Sequence, residues 1–287
     1  MAIKTVAVIG GGLMGRQIGL HTARYGFDVY LTDTQESMRA EVPKWASDYV
    51  AGRIAKGKMS EEEAKENLAH FHVVDTLQEA VQNADLVIEA IIEDEGIKKE
   101  FFKELCKWVR DDTILATNSS RMVSSTFVDC VTHPERLVNL HYFNPALVMK
   151  LVEVVQGDHV SDETANAAME FVRQTNKIPI LVRKEIDGFV ANRILTAITD
   201  EAFNLVNNGI CTYQEVDLAC ENALNHPMGP FKVIDYSGVD LAFLLTKRVY
   251  EKTGVKKPEY DLLEEMYNNK QWGYKTGKGF YEWPKKY

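Results

Sequence analysis

Cysteine is scarce and unpatterned: Cys106, Cys130, Cys211 and Cys220 are the only four, with no CxxC pair and no regular spacing. That excludes a disulfide framework of the secreted type and offers no zinc ligand set, so free thiols and no metal are expected. Positive charge is also in deficit, with 33 Lys plus Arg against 42 Asp plus Glu and a formal net charge of −9. Nucleic acid and anionic membranes attract basic surfaces, so neither is an expected partner, and a phosphorylated ligand must meet a local basic patch. There is no apolar run of about 20 residues to cross a bilayer, no internal repeat and no low-complexity segment. The first residues, MAIKTVAVIG, pass straight into a buried-strand pattern rather than a leader, and a cytoplasmic protein is expected.

What is present is ordinary globular composition, 45% hydrophobic and 26% charged over 287 residues, enough for two domains. Short apolar β-branched runs (KTVAVIG, VYLTD, ADLVIEA, TILATN, LVNLHYF, LVEVV, IPILV) alternate with helical stretches. That rhythm predicts a parallel sheet with helices on both faces. A charged helical stretch over about 36–69, broken near Gly57, interrupts it as an inserted hairpin. After Gly188 the strand signals stop and helical spacing takes over, so the expected domains are 1–187 and an all-helical 188–287.

The first strand runs into Gly10-Gly11-Gly12-Leu13-Met14-Gly15, a G-x-G-x-x-G turn opening a helix. Glycine suits each position because the turn is tight, a pyrophosphate must approach the backbone, and helix must pack on strand. The amides at the helix start, at Leu13 and Met14, would then face the phosphates. The second strand ends at Asp33, near the ~20-residue offset of the carboxylate that binds the adenosine ribose and repels the extra phosphate of NADP. The first domain is therefore expected to be a doubly wound α/β sheet of Rossmann type that binds NAD.

Ligands of such sheets bind at the carboxyl ends of strands. Those ends carry Thr117-Asn118-Ser119-Ser120 and, on the following strand, His141; Glu153 lies one strand further on. Oxidising an alcohol needs a base, histidine titrates in a useful range, and a glutamate can fix its tautomer. The same residues admit a plainer reading, the hydroxyls as helix caps and the histidine as structural, and position alone leaves both open.

Taken in order, GGGLMG, ATNSS, HYFNPALVMKLVEVV, DGFVANR, NHPMGPF and KTGKGFY span essentially the whole chain and resemble the 3-hydroxyacyl-CoA dehydrogenase family, above all its short bacterial 3-hydroxybutyryl-CoA members. The resemblance implies His141 as catalytic acid/base, Glu153 as its partner, and Ser120 and Asn192 as hydrogen-bonding groups on the substrate. It implies NAD contacts at Asp33, Glu93, Lys98, Ser120, Asn144 and Lys275, and a CoA-phosphate contact at Lys56 or Lys58. An acyl-CoA substrate, a homodimer through the helical domain, and a place in fatty-acid or butyrate metabolism are implied with them.

The chain departs from the family pattern twice. Where the family commonly reads T-N-T-S-S-L, Arg121 follows Ser120, within reach of an anionic group of the substrate or turned to solvent; where proline commonly precedes G-F-x-x-N-R, Asp187 stands. One rival is a related sugar-acid dehydrogenase of the gulonate type, which is expected to lack the phenylalanine found here at Phe143. Another is a catalytically silent, crystallin-like NAD-binding protein, for which nothing would require Ser120, His141, Glu153 and Asn192 together.

Overall fold

The computed structural model describes residues 3–284, so the outermost residues of both expected domains, 1–2 and 285–287, lie outside the described part. The chain divides between Val190 and Ala191 into two compact units.

The first unit is built on β1 (Thr5–Ile9), β2 (Asp28–Thr32), β3 (Phe71–Val73), β4 (Leu86–Glu89), β5 (Ile114–Thr117), β6 (Leu137–Tyr142), β7 (Leu151–Val155) and β8 (Ile178–Val182), in one sheet of order β3-β2-β1-β4-β5-β6-β7-β8. Its helices are α1 (Leu13–Ala23), α2 (Glu36–Ala55), α3 (Glu61–Ala69), α4 (Leu77–Val81), α5 (Glu95–Leu105) and α6 (Asp162–Gln174). Alternate residues of each strand point to opposite faces. Thus Val6 and Val8 pack with Ile18 and Phe171 on one side, while Ala7 and Ile9 pack with Phe102 and Phe127 on the other. Burial on both faces explains why the strands read as continuous apolar runs rather than alternating ones. Strand order reverses between β1 and β4, which opens a crevice at their carboxyl ends.

The all-parallel expectation needs one correction: β7 pairs with β6 in the antiparallel sense. Only residues 143–150 join the two strands, fewer than the dozen or so that a parallel crossover requires. The three-residue strand β3 also escapes the pattern reading, being too short to show a period. In the charged hairpin, α2 and α3 are joined by a turn in which Gly57 has φ +62°, and Ser60 and Glu63 form a reciprocal capping box that starts α3.

The second unit is α-helical: α7 (Ala191–Asn207), α8 (Tyr213–Ala223), α9 (Pro230–Ser237), α10 (Val239–Thr253) and α11 (Tyr260–Asn268) surround a core that includes Phe203, Phe231, Phe243 and Leu263. Two buried aspartates tie it together. Asp217 on α8 accepts the N–H groups of Phe231 and Lys232 at the start of α9, and the Tyr281 hydroxyl. Asp235 on α9 accepts the amides of Phe280 and Tyr281 and the indole N–H of Trp283. Gly279 of the KTGKGFY motif is structural here: a Cβ on it would lie 2.0 Å from Asp235 Oδ1. Among the described residues no helix is long and apolar enough to cross a membrane.

One buried histidine makes the fold sensitive to acid. His21 on α1 is 5% exposed and its Nε2 donates to the Thr175 carbonyl at 2.9 Å. Burial first, and the nearby Lys177 second, push its pKa from 6.5 down to about 3. It therefore stays neutral when folded but gains a proton on unfolding below pH 6.5, so stability falls as pH drops from 6.5 towards 3. Between pH 6.5 and 5, above the usual carboxylate range, the loss should reach roughly 2 kcal/mol. Thermal melts across that window should show a steep decline for wild type and a shallower one for His21→Gln; parallel declines would remove His21 as the cause.

Candidate active site

At the crevice, the glycine turn joins β1 to α1. Gly10 adopts φ +110°, and a Cβ there would lie 2.5 Å from the Ala90 carbonyl oxygen; one on Gly15 would lie 1.9 Å from Gly10 O. Gly12 has nothing within 4 Å of the position a Cβ would take, and no side chain caps the α1 amides that follow it. Beside the turn is Asp33, whose Oδ2 accepts from Gly11 N at 2.7 Å and Oδ1 from Gln35 N at 2.8 Å. The carboxylate is thereby fixed while each oxygen keeps lone-pair capacity for a hydroxyl. Open space over a helix start beside an oriented carboxylate fits a dinucleotide whose pyrophosphate lies on α1 and whose ribose lies on Asp33.

Three strands further along the sheet, His141 on β6 and Glu153 on β7 are directly paired in register. Antiparallel partners project to the same face, and His141 Nδ1 lies 2.7 Å from Glu153 Oε2. The two are 5% and 0% exposed. A carboxylate accepts and does not donate, so Nδ1 carries the proton and Nε2 is left as the basic nitrogen. Glu153 Oε1 accepts from Val190 N at 3.0 Å. The segment that brings this amide in has left-handed backbone at Gly188 (φ +75°) and Phe189 (φ +47°), and a phenylalanine is held there only against local strain. Phe189 and Phe143 pack on the imidazole with ring centroids 5.5 and 4.5 Å away.

Ser120 occupies the turn after β5, half-buried, with no side-chain partner among the described residues. Its neighbours are held on every side. Asn118 Oδ1 accepts from Tyr142 N at 2.9 Å, which links the turn to the residue after the histidine. Ser119 Oγ donates to Glu93 and accepts from Met122 N at 2.8 Å, and Asn139 Nδ2 donates to Met122 O at 3.0 Å. Beneath them Lys98, 1% exposed, lies 2.5 Å from Glu89 Oε1 and 3.3 Å from Glu93 Oε2, and Glu89 Oε2 accepts from Thr117 Oγ1 at 2.7 Å. A buried cation shared by two carboxylates thus anchors the serine turn. The motifs do not single out Glu89 or Asn139, although each is visible in the sequence as a polar residue interrupting an apolar strand.

The connection from β6 to β7 has its own brace. Lys177 Nζ donates to the Ala146 and Met149 carbonyls, both at 2.7 Å, and burial pushes its pKa down to about 8. Asn144 is exposed in this connection. Lys56 and Lys58 are exposed at the turn of the α2–α3 hairpin, and Arg121 is half-buried beside Ser120. In the helical unit Asn192 lies on the first turn of α7 and is half-buried, while Lys275 Nζ donates to Asp240 Oδ2 at 2.6 Å.

Comparison with known proteins identifies the family of the chain. The family model for "3-hydroxyacyl-CoA dehydrogenase, NAD binding domain" matches residues 5–186, and that for the "C-terminal domain" matches residues 188–283. The chain is 35% identical over 281 residues to a 3-hydroxybutyryl-CoA dehydrogenase of Clostridioides difficile, covering 98% of this chain and 99% of that protein. It is 33% identical to the human mitochondrial hydroxyacyl-coenzyme A dehydrogenase over 98% of this chain and 91% of that one. The crystal structure of (S)-3-hydroxybutyryl-CoA dehydrogenase from Ralstonia eutropha superposes with a TM-score of 0.88 at 30% identity, covering 99% and 100% of the two chains. The chain belongs to the 3-hydroxyacyl-CoA dehydrogenase family, and NAD is the cofactor of its first domain.

The Lys98 anchor can be tested by stability. Lys98→Met strands two carboxylates, one of them wholly buried, and should cost roughly 3–5 kcal/mol in urea unfolding. Adding Glu89→Gln should recover part of that loss; no recovery would mean that Lys98 acts through packing rather than charge.

Proposed function

We propose that the protein interconverts the 3-hydroxyl and 3-keto forms of short 3-hydroxyacyl-CoA thioesters, typified by 3-hydroxybutyryl-CoA and acetoacetyl-CoA, with His141 as acid/base. The observation that carries this reading is the buried His141–Glu153 pair at the strand ends of a sheet that also presents a dinucleotide turn. NAD, when bound, supplies the hydride acceptor. His141 Nε2 takes the hydroxyl proton, and Glu153 stabilises the imidazolium that results. The unpartnered Ser120 hydroxyl donates to the oxygen as its charge develops, and Asn192 is assigned to the same oxygen. In the reductive direction each role reverses.

On the cofactor side, Leu13 and Met14 contribute amides to the pyrophosphate and Asp33 accepts from the ribose. Glu93, Lys98, Asn144 and Lys275 are assigned as further NAD contacts. Lys98, bonded to Glu89 and Glu93, is suited to orient Glu93 rather than to reach a ligand alone. Lys56 or Lys58, exposed cations on the hairpin, are assigned to the CoA phosphates, and Arg121 to an anionic group of the substrate. The exposed apolar side chains Ile194, Leu195, Leu218, Leu241 and Leu244 of the helical unit support a homodimer formed through it. Four free thiols suit the cytoplasm, and the net charge of −9 argues against nucleic acid as a partner.

A cofactor-and-substrate matrix tests the proposal: NADH or NADPH against acetoacetyl-CoA, a longer 3-ketoacyl-CoA and a free 3-keto acid. NADH with acetoacetyl-CoA should give the highest kcat/KM, and His141→Gln should lower turnover by roughly 10²–10⁴ while still binding NADH. Preference for the free acid, or near-normal turnover of the variant, would contradict the reading.

A further inference from the structure

The end of β2 carries a cation as well as the Asp33 carboxylate. Arg39, on the first turns of α2, folds back so that Nη1 donates to the main-chain carbonyl of Asp33 at 2.7 Å. Its Nε lies 3.3 Å from Asp75 Oδ1. The Arg39 side chain is 18% exposed and that of Asp75 is 87% exposed. The guanidinium is therefore held firmly by the backbone and loosely by a solvated carboxylate, a pairing of small net strength. Nη2 has no partner among the described residues.

Opposite charges thus converge on one spot. The Asp33 carboxylate cannot swing aside, because Gly11 N and Gln35 N hold its two oxygens; it accepts from ribose hydroxyls and repels a phosphate there. A guanidinium is the group best shaped to bind a phosphate through paired charge-assisted bonds. Exchanging the solvated Asp75 for a phosphate dianion would cost Arg39 little. Two carboxylates oppose such binding besides Asp33: Asp75 itself and Glu36, exposed on the first turn of α2. Glu41 is engaged by Arg16 at 2.8 Å.

We propose that Arg39 is a latent ligand for the 2′-phosphate of an adenosine ribose, and that discrimination against NADP rests on Asp33 opposing it. The inference rests on the cofactor reading above and deepens it. The chain carries both halves of the selectivity device, and loss of a single carboxylate uncovers the second.

The test is nucleotide affinity without substrate, measured by calorimetry with NADH and with NADPH. The proteins are wild type, Asp33→Ser, Asp33→Asn, and each Asp33 variant combined with Arg39→Ala or Arg39→Lys. The ratio of NADPH to NADH affinity should rise about 10-fold or more in either Asp33 variant, the size of one new charge-assisted bond together with the removal of one repulsion. Arg39→Ala in that background should return most of the rise, and Arg39→Lys should keep part, since lysine retains the charge without the fork. The NADPH affinity of the Asp33 variants should also weaken with salt more steeply than that for NADH. Equal ratios with and without Arg39, or no rise in either Asp33 variant when wild type binds NADH normally, would overturn the assignment of Arg39 alone. Failure of wild type to bind either nucleotide would overturn the cofactor reading along with it.

Discussion

An imidazole and a carboxylate, both buried and facing each other across adjacent antiparallel strands, set the terms for the rest of the first unit. Burying Glu153 at 0% exposure is tolerable only while its oxygens are satisfied, and His141 and the Val190 amide each satisfy one of them. The pair exists because β7 reverses direction. The antiparallel register sets His141 opposite Glu153, and the reversal follows from a connection too short to cross over. Lys177 pins the carbonyls of that connection, and the left-handed step at Gly188–Phe189 delivers the amide and one aromatic ring.

The serine turn is held to the same strands by a separate network. Asn118 bonds the backbone of Tyr142, and Asn139 on β6 bonds the backbone of Met122. The His141 imidazole and the Ser120 hydroxyl are thus carried on a common scaffold, and the Glu89–Lys98–Glu93 cluster stiffens it from below. Such positioning suits the proposed reaction, in which an oxyanion would be stabilised by donors that do not have to reorganise when charge appears. The Ser120 hydroxyl has no internal partner among the described residues.

Legibility in the sequence follows the range of the interactions. The glycine turn and Asp33 are readable because local backbone chemistry demands those residues at that spacing, and the helical character of the last third is readable from periodicity. His141 is readable as a strand-end residue and Glu153 as an acid on the next strand, but their pairing is not, since it depends on a direction and register that an apolar run does not encode. Lys177 carries no signal of its own because the carbonyls it bonds are 28 and 31 residues away. Asp217 and Asp235 look like solvated helix residues until the contacts with α9 and the C-terminal turn give them a reason to be buried. Arg39 likewise sits on a charged helix and gains meaning only when its guanidinium is seen against Asp33 O.

The role proposed for His141 requires that Glu153 hold its proton on Nδ1 and leave Nε2 bare. Nitrogen-15 NMR of histidine-labelled protein, with His141 assigned by comparison with His141→Gln, reads this directly. Above the pKa of the imidazole, Nδ1 should show the shift of a protonated nitrogen and Nε2 that of an unprotonated one, and Glu153→Ala should mix the two tautomers. A dominant Nε2–H tautomer in the wild type would contradict the account, because His141 could then not take the hydroxyl proton.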